Sequence, residues 1–212
     1  DSRPPIGRRW TWTSSIEKGG APSKLEVLRA STGAEAVEPS AVMLPTAYGP
    51  VRVDVLEVRD IELKQPSEDP GDRLHATAHA WANELASPVT IEVLIPGGTN
   101  FAVLARVAEP GPLVAMKLQA VMSRSGAKQG SDLLDIVRLT LDRQTGPAVV
   151  RQLVAVDNAM AADMALHVDL WLDRRRRQSL LAIHGANGED VEEDDLGLVA
   201  ELLQGALSRA NP

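Results

Sequence analysis

Residues 112–141 read PLVAMKLQAVMSRSGAKQGSDLLDIVRLTL, and this stretch decides the fold of the second half of the chain. Apolar residues recur at helical spacing on both sides of the loop at 126–130. We therefore predict one helix from Pro112 to about Ser125 and a second helix that Ser131 caps. Helices joined by so short a loop pack antiparallel. From Pro112 onward we expect a helical bundle.

Two pairs of charged residues interrupt the apolar faces of these helices. Lys117 and Arg124 share one face of the first helix, and Asp132 and Asp135 share a face of the second. A cation on an apolar stripe needs a partner, so one interpretation is a structural ion-pair cluster in which the helix dipole also favours Asp132. The other interpretation is a site for a phosphate-bearing ligand, whose charge the lysine neutralises.

The first half of the chain predicts strands as well as helices. Residues 51–58 read VRVDVLEV, a β-branched alternation that is typical of a strand. Residues 71–86 carry apolar residues at helical spacing, with Asp72 as the N-cap. A hairpin is predicted over 89–95 and 101–107, where apolar residues alternate on both sides of a Pro-Gly-Gly turn.

This order of elements predicts an α+β (α/β) protein in two parts. We expect an α/β part over residues 1–110 and a helical part over residues 111–212. Residues 1–22 are rich in Pro, Gly, Ser and Arg without a clear period, so we interpret them as an extended segment or loop.

Composition restricts the classes of function. The chain has no cysteine, which excludes disulfides, thiolate metal sites and a cysteine nucleophile within it. No apolar stretch approaches the ~18 residues of a membrane helix, and Asp1 to Trp12 lacks the apolar run of a secretory signal. We therefore expect a cytoplasmic protein with no membrane partner. A net charge of −7 argues against tight non-specific binding to nucleic acid.

Two further groups of residues have alternative interpretations. Arg174–Arg177 are consecutive arginines near Trp171. They form either a solvated helix face or a contact for RNA phosphates, with Trp171 stacking on a base. His75 and His79 have a helical spacing that can bind a metal, but no third ligand is evident. Their alternative role is structural or solvated.

The stretch after Pro112 resembles the AbiEii-type nucleotidyltransferases, a toxin family related to DNA polymerase β. Those proteins carry Lys-Leu-x-Ala-x-x-x-Arg on one helix, then a short basic loop, then Asp-x-x-Asp-[Leu/Ile]. The matching residues of this chain are Lys117, Leu118, Ala120, Arg124, Lys128, Asp132, Asp135 and Ile136.

The resemblance implies a polymerase-β-like mixed sheet followed by a helical bundle. It also implies transfer of a nucleotide from an NTP to an acceptor with Mg²⁺. Lys117 and Asp132 would belong to the active site, and Arg124, Lys128 and Asp135 would contact the nucleotide. In toxin members the acceptor is tRNA, and an antitoxin protein controls the activity. The alternative is a catalytically inactive binding or interaction module on the same fold.

Two features concern the metal. The resemblance implies that Asp54, in the strand VRVDVLEV, is a catalytic residue and Mg²⁺ ligand. The alternative is an outward-facing aspartate on a strand. The family's first motif, Gly-Gly/Ser followed by Asp-x-Asp, is not found after Gly19-Gly20 or after Gly97-Gly98. We expect this motif either to precede Asp1 or to be lost, and a chain without it to be inactive or severely impaired.

Overall fold

A computed structural model describes residues 9–13, 22–46, 49–94, 98 and 100–210, with residues 9–13 as backbone only. The chain divides into two compact units, Asp1–Pro66 and Ser67–Pro212. Each unit has its own cluster of buried apolar residues. The protein is therefore α+β, as predicted, and the two units are described separately.

The first unit is built on a four-stranded mixed sheet with strand order β1-β4-β3-β2. The strand predicted at 51–58 is confirmed as β4 (Val51–Leu56). It pairs in parallel with β1 (Arg9–Thr13) and antiparallel with β3 (Ala41–Leu44), which in turn pairs antiparallel with β2 (Glu35–Glu38). The sheet thus places β4 in a central position.

One face of this sheet is covered by α1 (Lys24–Arg29). Ser23 begins the helix because its hydroxyl accepts a hydrogen bond from the Glu26 amide, whose own side chain accepts from the Ser23 amide. Leu25 and Leu28 pack against Val42, Val53 and Val55. A short helix, α2 (Asp60–Lys64), lies near the end of the unit.

The second unit is mainly helical. It starts with α3 (Pro70–Glu84), which Asp69 rather than Asp72 caps, because the Asp69 carboxylate accepts from the amides of Gly71 and Asp72. The predicted hairpin follows. The elements after α3 are β5 (Ser87–Val93), β6 (Phe101–Val107), α4 (Pro110–Ser123), α5 (Ala127–Leu141), α6 (Gly146–Val154), α7 (Asn158–Val168), a π-helical segment (Asp169–Arg174), α8 (Arg176–His184) and α9 (Glu193–Leu207).

A single apolar core joins α3 to the later helices. Leu74 and Ala78 of α3 are buried in the same cluster as Leu118 of α4 and Leu133 of α5. The structure therefore divides the chain after Pro66, whereas the sequence pattern placed the boundary after residue 110. The reason is that α3 buries its apolar stripe against the helical bundle.

The predicted start of α5 is wrong by five residues. The helix begins at Ala127, after Gly126, whose backbone has a φ of 60°. The Ser131 hydroxyl donates to the Lys128 carbonyl inside the helix and caps nothing.

No described helix combines the length and the apolar character that a bilayer-spanning segment needs.

Candidate functional site

Lys117, Arg124, Asp132 and Asp135 form one cluster on the α4–α5 hairpin, and we call it the ion-pair cluster. The two helices pack side by side through buried apolar residues of one core cluster, among them Leu118, Val121 and Leu133. The chain reverses direction between them at Gly126, whose positive φ suits a residue without Cβ. This reversal brings the charged faces of the two helices together, as the sequence predicted.

The distances within the ion-pair cluster are those of charge-assisted hydrogen bonds. The Lys117 ammonium lies 2.6 Å from Oδ1 of Asp132 and 2.7 Å from Oδ2 of Asp135. Nη1 of Arg124 lies 2.6 Å from Oδ2 of Asp132. Asp132 therefore uses one oxygen for the lysine and the other for the arginine.

Exposure divides the ion-pair cluster into an inner and an outer part. The Asp132 side chain is 1% exposed, whereas those of Lys117 and Asp135 are 28% and 46% exposed. Burial lowers the pKa of the Lys117 ammonium, but the hydrogen bonds to Asp132 and Asp135 outweigh it, so the pKa lies above its ordinary value. Lys117 is therefore a fixed positive charge that still reaches solvent.

Lys117 and Asp135 line a cleft of about 710 Å³. That size is within the range of small-molecule sites. Its apolar lining includes Leu113, Leu139, Leu141 and Val191, and its other charged residues are Arg138, Asp142, Asp190 and Asp195. The cleft therefore offers an apolar floor between charged groups, next to the lysine that the sequence singled out.

The charged residues of the cleft differ in whether they already have partners. Asp142 accepts from the amides of Gln144 and Thr145, and these bonds hold the pKa of its carboxyl below the ordinary value. Asp195 likewise accepts from the Glu192 amide. Among the described residues, the guanidinium of Arg138 has no hydrogen-bond or ion-pair partner. Arg138 is thus a cation at the cleft that a ligand could engage.

His75 and His79 lie on α3 in a second polar group. Their ring centroids are 4.3 Å apart. His79 is buried, and its Nδ1–H donates to the His75 carbonyl at 2.6 Å. Burial, the neighbouring His75 and the charge of Arg124 lower the pKa of His79 to about 4. These features describe a neutral core histidine, which supports the structural alternative for the pair.

Asp54 lies on β4 in the first unit. Its side chain is 8% exposed, and Nη2 of Arg52 lies 3.0 Å from its Oδ1. The outward-facing alternative is therefore wrong. A Mg²⁺ ion would have to displace the Arg52 guanidinium, and no three His, Cys, Asp or Glu side chains of the described ranges are grouped so as to hold a metal. The residues described here do not by themselves compose a Mg²⁺ site.

The remaining predicted residues lie apart from the ion-pair cluster. Lys128 is exposed in the first turn of α5, and no ion pair joins it to Asp132 or Asp135 in the described structure. Trp171 is 4% exposed, with the guanidinium of Arg175 5.0 Å from its ring centre. A buried Trp171 cannot stack on a base, so that part of the RNA interpretation is wrong.

Sequence reasoning missed two functional or structural residues of the second unit. Arg138 follows Asp135 by three positions and so shares its helix face, a signal that was present in the pattern. The other is the buried Asp163 of α7, whose Oδ1 lies 2.5 Å from Nη2 of Arg73 on α3. Ninety positions separate these two residues, and no local pattern reveals such a pair.

Comparisons with protein-family models, with curated proteins and with solved structures found no match to this chain.

Proposed function

We propose that this chain is a nucleotidyltransferase-like protein on a polymerase-β-like fold. In this proposal the cleft beside Lys117 binds the phosphates of an NTP. An acceptor hydroxyl attacks the α-phosphorus, the bond to the β-phosphate breaks, and pyrophosphate leaves as the nucleotidyl group is transferred. The acceptor that the motif resemblance suggests is tRNA, with a cognate antitoxin as the controlling protein partner. The observation that carries the proposal is the position of the Lys117 ammonium, fixed by two carboxylates at the edge of a nucleotide-sized cleft.

The carboxylates and the lysine of the ion-pair cluster, and the neighbouring Arg138, have distinct roles in this proposal. Lys117 neutralises phosphate charge, and Arg138 supplies a second cation that has no partner to give up. Asp132 is a positioning residue, because its two oxygens hold Lys117 and Arg124 and its side chain does not reach the cleft. Asp135 is the more exposed partner, and a phosphate would compete with it for Lys117.

Mg²⁺ enters this proposal with the nucleotide, as part of a Mg–NTP substrate. Asp54 is the residue that the resemblance assigns to the metal, and its ion pair with Arg52 would have to open. The described carboxylates are not grouped so as to hold a metal ion by themselves. The chain's own contribution is to bind and orient the triphosphate.

Nucleotide binding tests the proposal directly. The affinity for a fluorescent NTP in the presence of Mg²⁺ is measured for the unaltered chain and for Lys117→Met, Arg138→Gln and Arg151→Gln. Arg151 is the matched control, because it is an exposed arginine of α6 outside the cleft. We expect Arg138→Gln to raise Kd by roughly tenfold, the worth of one charge-assisted hydrogen bond. Arg151→Gln is expected to leave Kd unchanged.

Two results would overturn the proposal. One is an unaltered chain that does not bind any NTP at millimolar concentration. The other is an equal Kd for Arg138→Gln and Arg151→Gln while both variants keep the melting temperature of the unaltered chain.

A second candidate function is a binding module that holds a nucleotide without transferring it. The burial of Asp132 behind two cations favours this alternative, because a sealed carboxylate cannot contact a substrate or a metal. Incorporation of radiolabelled NTP into RNA separates the two functions. Transfer by the unaltered chain that Arg138→Gln weakens supports the enzyme, and NTP binding with no transfer under any condition supports the module.

A further inference from the structure

The β5–β6 hairpin has one face made of apolar side chains. Residues directly opposite each other in an antiparallel pair point to the same side of the sheet. In the register of this hairpin, that rule places eight residues on one face, of which seven are apolar and none is charged. We call this the hairpin face: Ser87, Val89, Ile91, Val93, Phe101, Val103, Ala105 and Val107.

Five large side chains of the hairpin face are exposed, by 37% at Ile91 to 49% at Phe101, whereas Val93 is half-buried. The charged residues of the hairpin, Glu92 and Arg106, belong to the opposite face, together with Thr90. This distribution of charge is the one expected when one face meets water and the other meets protein.

A two-stranded hairpin with an uncovered apolar face is only marginally stable by itself. Contiguous apolar patches of several hundred Å² on a protein surface mark interaction sites. The hairpin face therefore needs a cover, and the cover must be apolar and without charge where it meets Val89, Ile91 and Val103.

We propose that the hairpin face is a homodimer interface, covered by the same face of a second copy of this chain. A two-fold axis brings a patch against itself, and an apolar patch without charge can cover its own copy without like-charge repulsion. The hairpin face meets this condition, since Glu92 and Arg106 lie on the other side of the sheet. Each copy therefore supplies the uncharged apolar surface that the other requires.

The area of the hairpin face fits a weak dimer. The exposed parts of its side chains amount to roughly 500 Å² per copy, or about 1,000 Å² for the pair, which is at the lower limit of specific interfaces. Two copies also repel each other, because each has a net charge of −7. Dimerisation is therefore expected in the micromolar range and is strengthened by salt, which screens the repulsion.

Sedimentation velocity of the full chain, from low to high micromolar concentration, tests this interface. The interface variant is Val103→Lys, and its matched control is Leu104→Lys, one position along the same strand. Leu104 lies on the opposite face and is 73% exposed, so the same charge is introduced outside the interface. We expect the unaltered chain and Leu104→Lys to dimerise alike and Val103→Lys to stay monomeric.

A second variant covers the case in which a lysine at position 103 prevents folding. Val103→Thr keeps the β-branched shape that suits a strand but adds a hydroxyl to the interface, and it is expected to raise the dimer Kd by roughly tenfold. An unaltered chain that remains monomeric at every concentration would overturn the proposal. Equal dimerisation of the position-103 variants and Leu104→Lys would overturn it as well.

Discussion

The Lys117 ammonium on α4 and the Asp132 carboxylate on α5 lie 2.6 Å apart, with the aspartate sealed in the interior and the lysine open to the cleft. The buried Asp132 carboxylate affects the stability of the fold, because a carboxylate without a counter-charge is costly to bury. The open end of the pair is where the nucleotide of the proposed function would bind. The two interpretations of these residues, structural and functional, thus apply to different atoms of the same ion-pair cluster.

The cost of losing each carboxylate is the first prediction. Asp132→Asn leaves Arg124 without its counter-charge and is expected to lower the free energy of unfolding by about 2 kcal/mol. This is below the ~3–5 kcal/mol of fully buried pairs, because Lys117 and Arg124 reach solvent. Asp135→Asn is the matched control, since Asp135 is half exposed and its loss is expected to cost below about 1 kcal/mol. Urea unfolding measures the free energy of unfolding of both variants. Equal losses of stability would contradict the division of the ion-pair cluster into a buried Asp132 and an exposed Asp135.

The second prediction concerns acid stability and His79. The pKa of His79 is about 4 in the folded chain, below the ordinary 6.5. Between these two pH values the imidazole is therefore mostly protonated in the unfolded chain and mostly neutral in the folded chain. The contribution of His79 is therefore complete above pH 6.5 and is lost as the pH falls towards 4. The loss reaches at most about 3 kcal/mol, at 1.36 kcal/mol per pKa unit.

His79→Asn removes this dependence, because asparagine keeps a donor for the His75 carbonyl and cannot take up a proton. Unfolding free energies measured between pH 4 and pH 7 are expected to fall less steeply for this variant than for the unaltered chain. His184→Asn serves as the control and should keep the steeper slope. Identical slopes for His79→Asn and the unaltered chain would show that His79 does not titrate as stated.

The third prediction concerns the contact between α5 and α8 at Gly130. A Cβ on this glycine would lie 2.0 Å from the Ala182 carbonyl oxygen, so the two backbones would have to separate. We expect Gly130→Ala to destabilise the chain by about 2 kcal/mol through overpacking. At Gly205 of α9 a Cβ meets no described atom within 4 Å, and Gly205→Ala is expected to stabilise by roughly 0.5–1 kcal/mol. Thermal melts of the two variants should therefore shift in opposite directions.

Features set by local spacing could be predicted from the sequence. Helical periodicity is a property of neighbouring residues, and it was sufficient to place Lys117 opposite Asp132 and to identify β4 and the hairpin. The start of α5 escaped prediction because Gly126 begins the helix through its backbone conformation, without a capping side chain. Ser131 was chosen as the cap because serine is a common N-cap residue, whereas the conformation of the Gly126 backbone cannot be read from the sequence.

Features set by distant residues could not be predicted. The parallel pairing of β1 with β4 joins segments about forty positions apart, and its register follows from the assembled sheet. The RNA interpretation gave Trp171 a base-stacking role, but Trp171 lies in the π-helical segment and is buried in the core of the second unit.

Arg124 gives the α4–α5 hairpin a reserve counter-ion. When an incoming anion draws the lysine ammonium away, the guanidinium still holds the other oxygen of Asp132. The interior carboxylate is then never left alone, and the helices need not separate when the lysine changes partners. Binding at the edge of the hairpin can therefore be reversible without loosening the bundle beneath it.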